Sequence, residues 1–342
     1  MDAIEDAIPE RVSRFQQTDP PLFTVFTPTR NRVQVIHRVY DSLCAQTLRD
    51  FEWLVVDNSS TDGTPELISR WLEEAPFPIR YFRREENAGG FASWHLGIRK
   101  ASGTLFVDIR DADTMMPTAL ERLKLHWDAI PSERRGDFVG VTVNCRDEHG
   151  RLVGTPIPEP YVDSDAIEVY HRYGVKGEKW GFQRIDVLRA YVDPPIPGYI
   201  GYMPEGIVWA RIAGRYRTRY VNETLRVYWG DQRESLSRTK RHWVNALGGA
   251  TSCSEALRTQ IGWFAHSPLR FQWLAIKYAR CCFHLGRTLS TQWQGLSGGL
   301  ARVLWIAGLP VGWLLYWNDD RWRRRAGEER AVDLPAPPPA PE

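Results

Sequence analysis

The chain has 342 residues, 43% of them hydrophobic and 25% charged, with a formal net charge of +2. That is enough chain for one large α/β domain with an appended helical region, and the near-neutral balance excludes a general nucleic-acid binder, which carries a strong basic excess. Five cysteines form no C-x-x-C pair and no apolar h-region opens the chain, so the expected setting is the reduced cytoplasm, with no nucleic-acid partner.

Residues 1–21 start acidic, carry prolines and are expected to form a loosely held leader. Then the texture alternates. Phe23 to Thr27 predicts a strand by its β-branched and aromatic run, and Val35, Ile36, Val39, Tyr40, Leu43 and Cys44 follow at helical spacing. Trp53 to Val56 predicts a buried strand, and Leu67, Ile68, Trp71 and Leu72 mark a helix. Ile79 to Phe82 is a third strand, 91–101 a third helix, and Leu105 to Val107 a fourth strand. Alternation at this spacing implies right-handed βαβ units and a parallel sheet covered by helices, with ligands at the carboxyl ends of the strands. Phe138 to Val143 predicts another strand, 205–214 a helix, and 218–228 one or two strands. After about residue 240 the pattern is helical, and the Pro/Ala-rich tail, 331–342, is expected to be disordered.

Four loops follow the first four strands. Thr27-Pro28-Thr29-Arg30-Asn31 precedes a helix, where small hydroxyls and backbone N–H groups can hold a nucleotide or simply cap the helix. Asp57-Asn58-Ser59-Ser60-Thr61-Asp62-Gly63 ends the next strand, and Asp57 or Asn58 there can read the edge of a base. Glu86-Asn87-Ala88-Gly89-Gly90 pairs two glycines that let a ligand approach the backbone, although turn formation alone explains them too. Asp108-Ile109-Arg110-Asp111-Ala112-Asp113 offers carboxylates two residues apart that can share a hard cation, which in turn can hold a diphosphate leaving group.

In this order the stretches FTVFTPTRNR, FEWLVVDNSSTDGTPELI, ENAGGFASWHLGI and ASGTLFVDIRDADTMMPTALERL resemble the nucleotide-sugar glycosyltransferases of family 2, over roughly residues 22–230. The resemblance implies a GT-A fold, a Rossmann-like mixed sheet with helices on both faces, spanning 22–238 and followed by a helical region over 239–330. It implies a nucleoside pocket lined by Thr27, Pro28, Thr29 and Asn58, with Arg30, Asp57, Gly89, Gly90 and Asp111 also at the donor. It also implies a divalent metal, Mn or Mg, on Asp111 and Asp113. Two registers remain open at the acidic motif. Counted from Gly103 without gaps, Arg110 and Ala112 fall where the family has acids, whereas one inserted residue brings Asp111 and Asp113 into place, the reading preferred here. Trp94-His95 also replaces the usual Arg-Asn of the third helix. Glu205, opening a helix in Met203-Pro204-Glu205-Gly206, resembles the family's catalytic acid position, where a carboxylate deprotonates the acceptor in an inverting transfer; a first-turn acid favoured by the helix dipole is the plainer reading. Trp180, in Gly177-Glu178-Lys179-Trp180-Gly181, is either an acceptor-stacking surface or a core side chain. Asp231 and Arg233 are candidates for closing over the diphosphate.

Eleven of the fifteen tryptophans lie in the second half of the chain, and Leu300 to Trp317 is nearly all apolar before an arginine cluster at 321–325. Arg302 and Pro310 weaken a spanning helix, so an interfacial segment on the cytoplasmic face of the inner membrane is expected, suiting a glycan or lipid-linked sugar acceptor. Two rival functions are a non-catalytic nucleotide-sugar-binding scaffold, motivated by Arg110 and Trp94, and a nucleotidyltransferase, against which stands a first loop without a Gly- and Lys-rich triphosphate signature.

Overall fold

The computed structural model describes residues 8–15, 19–230 and 241–328. Asp231, Arg233 and the 331–342 tail lie outside the described residues. The chain divides into two compact units, one of residues 1–195 with 215–232 and the other of 196–214 with 233–342.

The first unit is built on a ten-stranded mixed sheet in the order β1-β4-β3-β2-β5-β9-β7-β10-β6, with β8 beside β10. Its strands are β1 (Glu10–Val12), β2 (Phe23–Thr29), β3 (Phe51–Asp57), β4 (Ile79–Arg83), β5 (Leu105–Asp108), β6 (Thr114–Met115), β7 (Phe138–Asp147), β8 (Tyr161–Ser164), β9 (Lys179–Arg184) and β10 (Arg217–Tyr228). The helices are α1 (His37–Cys44), α2 (Thr64–Glu74), α3 (Gly90–Lys100), α4 (Ala119–Asp128), α5 (Glu168–His171) and α6 (Ile185–Tyr191). Strands β2 to β5 are mutually parallel, as the alternating pattern predicts, so their loops open on one edge of the sheet. Strand β9 runs antiparallel between β5 and β7. The expected loose leader is in part a strand: β1 pairs antiparallel with β4, and the Ser13 hydroxyl accepts from the Ile79 N–H at 2.9 Å.

The aromatic and β-branched strand residues Phe23, Val25, Trp53 and Val55 are fully buried with Val39, Ile68 and Trp71 of the helices. Gly97 lets α3 lie close on β2, since a Cβ there would meet the Phe26 ring at 2.3 Å. Burial of such side chains contributes about 1.5–3 kcal/mol each and fixes the sheet from which the loops project.

The second unit is helical: α7 (Gly206–Ala213), α8 (Ala246–Thr259), α9 (Pro268–His284), α10 (Leu289–Gln294) and α11 (Gly299–Arg325). Its core joins Leu247, Phe271, Ala275, Tyr278, Leu304 and Trp305. Helix α11 is long and apolar enough by composition to cross a membrane, yet it docks on α9. A Cβ on Gly308 would meet Ile276 at 3.0 Å and one on Gly312 would meet Ala279 at 2.8 Å, so this Gly-x-x-x-Gly pair lets the two backbones approach. Farther along, Asp319 accepts from Arg280 Nε and Nη2 at 2.7 Å each and lies 2.9 Å from His284 Nε2.

Candidate functional site

The loops after β2, β3 and β4 are laced together by their own polar side chains. The Asn31 N–H donates to Ser60 Oγ at 2.9 Å, and Asn31 Oδ1 accepts from the Thr61 N–H at 2.8 Å. Asn31 and Ser59 both take left-handed backbone, φ 53° and 67°, the conformation that short polar residues tolerate best after glycine. Asp57 is fully buried, accepting from the Ser60 N–H at 2.8 Å and from the Tyr81 hydroxyl at 2.7 Å. Burial and this hydrogen bond to a carboxylate push the Tyr81 phenol far up. Asn58 accepts from the Ala88 N–H at 2.9 Å and donates to Asn87 Oδ1 at 2.6 Å, joining the second loop to the third. Gly89 sits at φ 85°, where a side chain is disfavoured, and Gly90 opens α3 with nothing within 4 Å of where a Cβ would be.

Several residues expected to contact a donor therefore serve the loops themselves. Thr27 is buried and its hydroxyl accepts from Trp53 Nε1 at 3.0 Å. Asp57 and Asn58 are braces, their polar atoms taken by Ser60, Tyr81, Ala88 and Asn87. Pro28 is half-buried and Arg30 exposed, and the buried Thr29 hydroxyl has no hydrogen-bond partner. Trp180 is a core residue on β9 that donates its indole N–H to the Asp108 carbonyl at 2.7 Å, which removes it as an acceptor-stacking surface. Trp94 and His95 are buried in α3.

The acidic motif divides by burial. Asp113 is 1% exposed and tied to β10: Arg226 Nε and Nη2 both donate to its Oδ2, and its Oδ1 accepts from the Trp229 N–H at 3.0 Å. Arg226 Nη1 reaches Glu178 at 3.2 Å, and despite burial its guanidinium stays charged because the Asp113 carboxylate raises its pKa. Asp111 faces two guanidinium groups, with Arg32 Nε 3.3 Å from its Oδ2 and Arg110 in the same loop. Burial pushes the Asp111 carboxyl up to about 6, and the two arginines oppose that shift. Arg110 lies over the Tyr228 ring, 5.1 Å from its centroid, and Arg38 lies over Trp229 at 4.1 Å. The buried Arg32 Nε makes no well-aligned hydrogen bond; its partner is the Asp111 carboxylate of the 3.3 Å ion pair.

A divalent cation held by Asp111 and Asp113 does not fit this arrangement. Both Asp113 oxygens are occupied, Oδ2 by Arg226 and Oδ1 by the Trp229 backbone N–H. The expected metal pair is corrected accordingly: Asp113 joins the acidic loop to β10. Sequence reasoning missed Arg32, Arg226 and Tyr228. An arginine between Leu225 and Val227 in an inward-facing strand was the available signal, since a buried guanidinium requires a buried carboxylate. Glu205 lies in the second unit as the exposed residue capping α7, its carbonyl accepting from the Val208 N–H at 2.9 Å.

Residues 24–183 match the family described as "Glycosyl transferase family 2". The abequosyltransferase RfbV of Salmonella typhimurium is 29% identical over 110 residues, 32% of this chain and 33% of that one. A PGL/p-HBAD biosynthesis glycosyltransferase of Mycobacterium bovis is 30% identical over 105 residues, 29% of this chain and 41% of that one. The shared stretch spans half or less of the curated relatives' own lengths. Among solved structures, S. aureus TarS 1–349 in complex with UDP-GlcNAc superposes with a TM-score of 0.60 at 15% identity, covering 93% of this chain and 98% of that one. That likeness is one of fold, a GT-A domain with C-terminal helices.

Proposed function

We propose that this chain, whose residues 24–183 match glycosyltransferase family 2, transfers a sugar from a nucleoside-diphosphate sugar to an acceptor hydroxyl with inversion at the anomeric carbon. The observation that carries this reading is the set of braced loops on the parallel strands β2 to β5, at whose ends the Thr29 hydroxyl is buried without a hydrogen-bond partner beside the half-buried Arg32–Asp111 pair. Orphaned buried polar groups are costly, about 1–3 kcal/mol each, unless a ligand completes them. A ribose and a phosphate supply the hydroxyls and oxygens these groups lack. In the reaction the acceptor oxygen bonds to the anomeric carbon as the bond from that carbon to the phosphate oxygen breaks. The hydroxyl proton passes to Glu205 and the nucleoside diphosphate departs. A UDP-sugar is the first donor to try, given the ligand of TarS, with a dTDP-sugar next.

The acceptor in this reading is a glycan or lipid-linked sugar at the cytoplasmic face of a membrane, with relatives named as an abequosyltransferase and a PGL/p-HBAD biosynthesis glycosyltransferase. Its support is the outer face of the second unit, where Val303, Ile306, Trp313, Leu314 and Trp317 of α11 are exposed together with Leu269 (84% exposed), Trp273 and Trp293. Soluble surfaces rarely leave so contiguous an apolar set uncovered. Trp beside arginine is the pattern of an interfacial helix, and Arg321 stacks on Trp317 at 4.6 Å.

Glu205→Gln tests the base. Turnover should fall by roughly a hundredfold or more, the scale of a lost general base, with donor affinity retained. Near wild-type transfer by this variant would remove Glu205 from the mechanism, and failure of a nucleotide-sugar panel to be hydrolysed or transferred would favour the scaffold.

A further inference from the structure

In nucleotide-sugar chemistry the diphosphate must lose its sugar while carrying growing negative charge, and some cation has to meet it. The acidic loop here supplies one from the chain itself. Asp113 is consumed by Arg226 and the Trp229 N–H, so neither of its oxygens faces outward. Asp111 stands between Arg32 and Arg110, one carboxylate beside two guanidinium groups. Arg110 lies two residues beyond the end of β5 and directly before Asp111. Its guanidinium is held over the Tyr228 ring, and Tyr228 is only two residues beyond the Arg226 that neutralises Asp113.

We propose that Arg110, with Arg32 beside it, binds the diphosphate of the donor directly, and that this chain binds nucleoside diphosphates without a divalent cation. A guanidinium suits the task because it stays charged at any working pH and offers parallel N–H donors to two phosphate oxygens. Contact with Tyr228 restrains the guanidinium before the ligand arrives, so less side-chain freedom is lost on binding. The inference rests on the glycosyl-transfer reading for its ligand and departs from the metal that the family resemblance implies.

The test is calorimetric titration of the full chain with UDP, dTDP, GDP and CDP, in chelator and again with manganese. At least one nucleotide should bind with an affinity that changes less than about threefold between the two conditions. Arg110→Ala should weaken that binding roughly tenfold to a hundredfold, as for a lost charge-assisted pair, while Arg110→Lys recovers part of it. Binding that disappears in chelator and returns with manganese, or an Arg110→Ala variant that binds as wild type, overturns the proposal while leaving glycosyl transfer standing. If no nucleotide binds in either condition, both readings fall. A thermal melt of each variant separates loss of affinity from loss of fold, and Arg110→Gln, which keeps much of the stem over Tyr228, replaces the alanine if that variant unfolds.

Discussion

The strand-end loops of the first unit and the outer face of α11 in the second treat their side chains in opposite ways. In the loops nearly every polar group that could have met a ligand is already bonded to another part of the chain: Asp57 to Ser60 and Tyr81, Asn58 to Asn87 and Ala88, Asp113 to Arg226. On α11 the apolar groups that could have packed inward are left exposed, although Trp305 and Leu304 one turn away are buried against α9 and α10. The lesson is that composition identifies a surface but not its occupant. Polar loops first satisfy themselves, and what remains unsatisfied marks the site; an apolar helix first satisfies its neighbour, and what remains exposed marks the contact.

The largest expected effect tests whether Asp113 is a brace. Asp113→Ala leaves Arg226 buried without its carboxylate and should destabilise the first unit by about 3–5 kcal/mol, read by urea or thermal unfolding. An unchanged melt with lost nucleotide affinity would make Asp113 a ligand after all. The comparison sharpens with pH, because two buried carboxylates are shifted in opposite directions. Asp319 is subject to burial, which raises its pKa, but hydrogen bonds from His284 and Arg280 hold it down at about 2. Its contribution is present above the ordinary carboxylate range and lost as pH falls from about 4 to about 2, amounting to about 2–3 kcal/mol. Asp111, raised to about 6, binds its proton more tightly folded than unfolded. Ligand-free protein should therefore gain stability through Asp111 as pH falls from about 7 to about 5, and Asp111→Asn should abolish that rise. Denaturation midpoints across pH that show no rise in the wild type would contradict the assignment. The smallest effects concern the membrane. Arg321→Gln and Arg325→Gln should each weaken sedimentation with anionic liposomes by about 1 kcal/mol, with salt acting likewise. Arg323 is excluded from this test because it is buried on Asp320 and the Glu328 carbonyl. Deleting α11 is a poor substitute, since it also removes Trp305, whose indole donates to Gln292 at 3.1 Å.

Much of the first unit was legible in the sequence because β2 to β5 and their helices carry clean periodicity, and the order of loops follows from the order of strands. What could not be read is pairing across long separations. Nothing in Lys179–Arg184 says that it runs antiparallel between β5 and β7, and that position is what buries Trp180. Nothing local in Asp111-Ala112-Asp113 says which carboxylate turns toward β10, because Arg226 is 113 residues away. Trp305, Trp313, Trp317 and Trp322 read as one interfacial set, yet Trp305 faces the core and the other three do not, a distinction set by which side of α11 the Gly308 and Gly312 backbone presses on α9.

The Asn58–Asn87 contact has a consequence for sequence drift. Asn58 gives a proton to Asn87 and takes one from the Ala88 backbone, so its two ends are not interchangeable. An aspartate at 58 could still accept from Ala88, but its second oxygen would meet Asn87 Oδ1 unless the Asn87 amide turned its NH2 inward and gave up the bond that Oδ1 accepts from the Gly89 N–H. Positions 58 and 87 should therefore vary as a couple in neighbouring lineages: where 58 becomes Asp, 87 should stay Asn or become another residue that can donate, such as Lys, Arg or Ser. A collection of orthologues with Asp at 58 and an acceptor-only residue at 87 would show that the two loops are joined by something else.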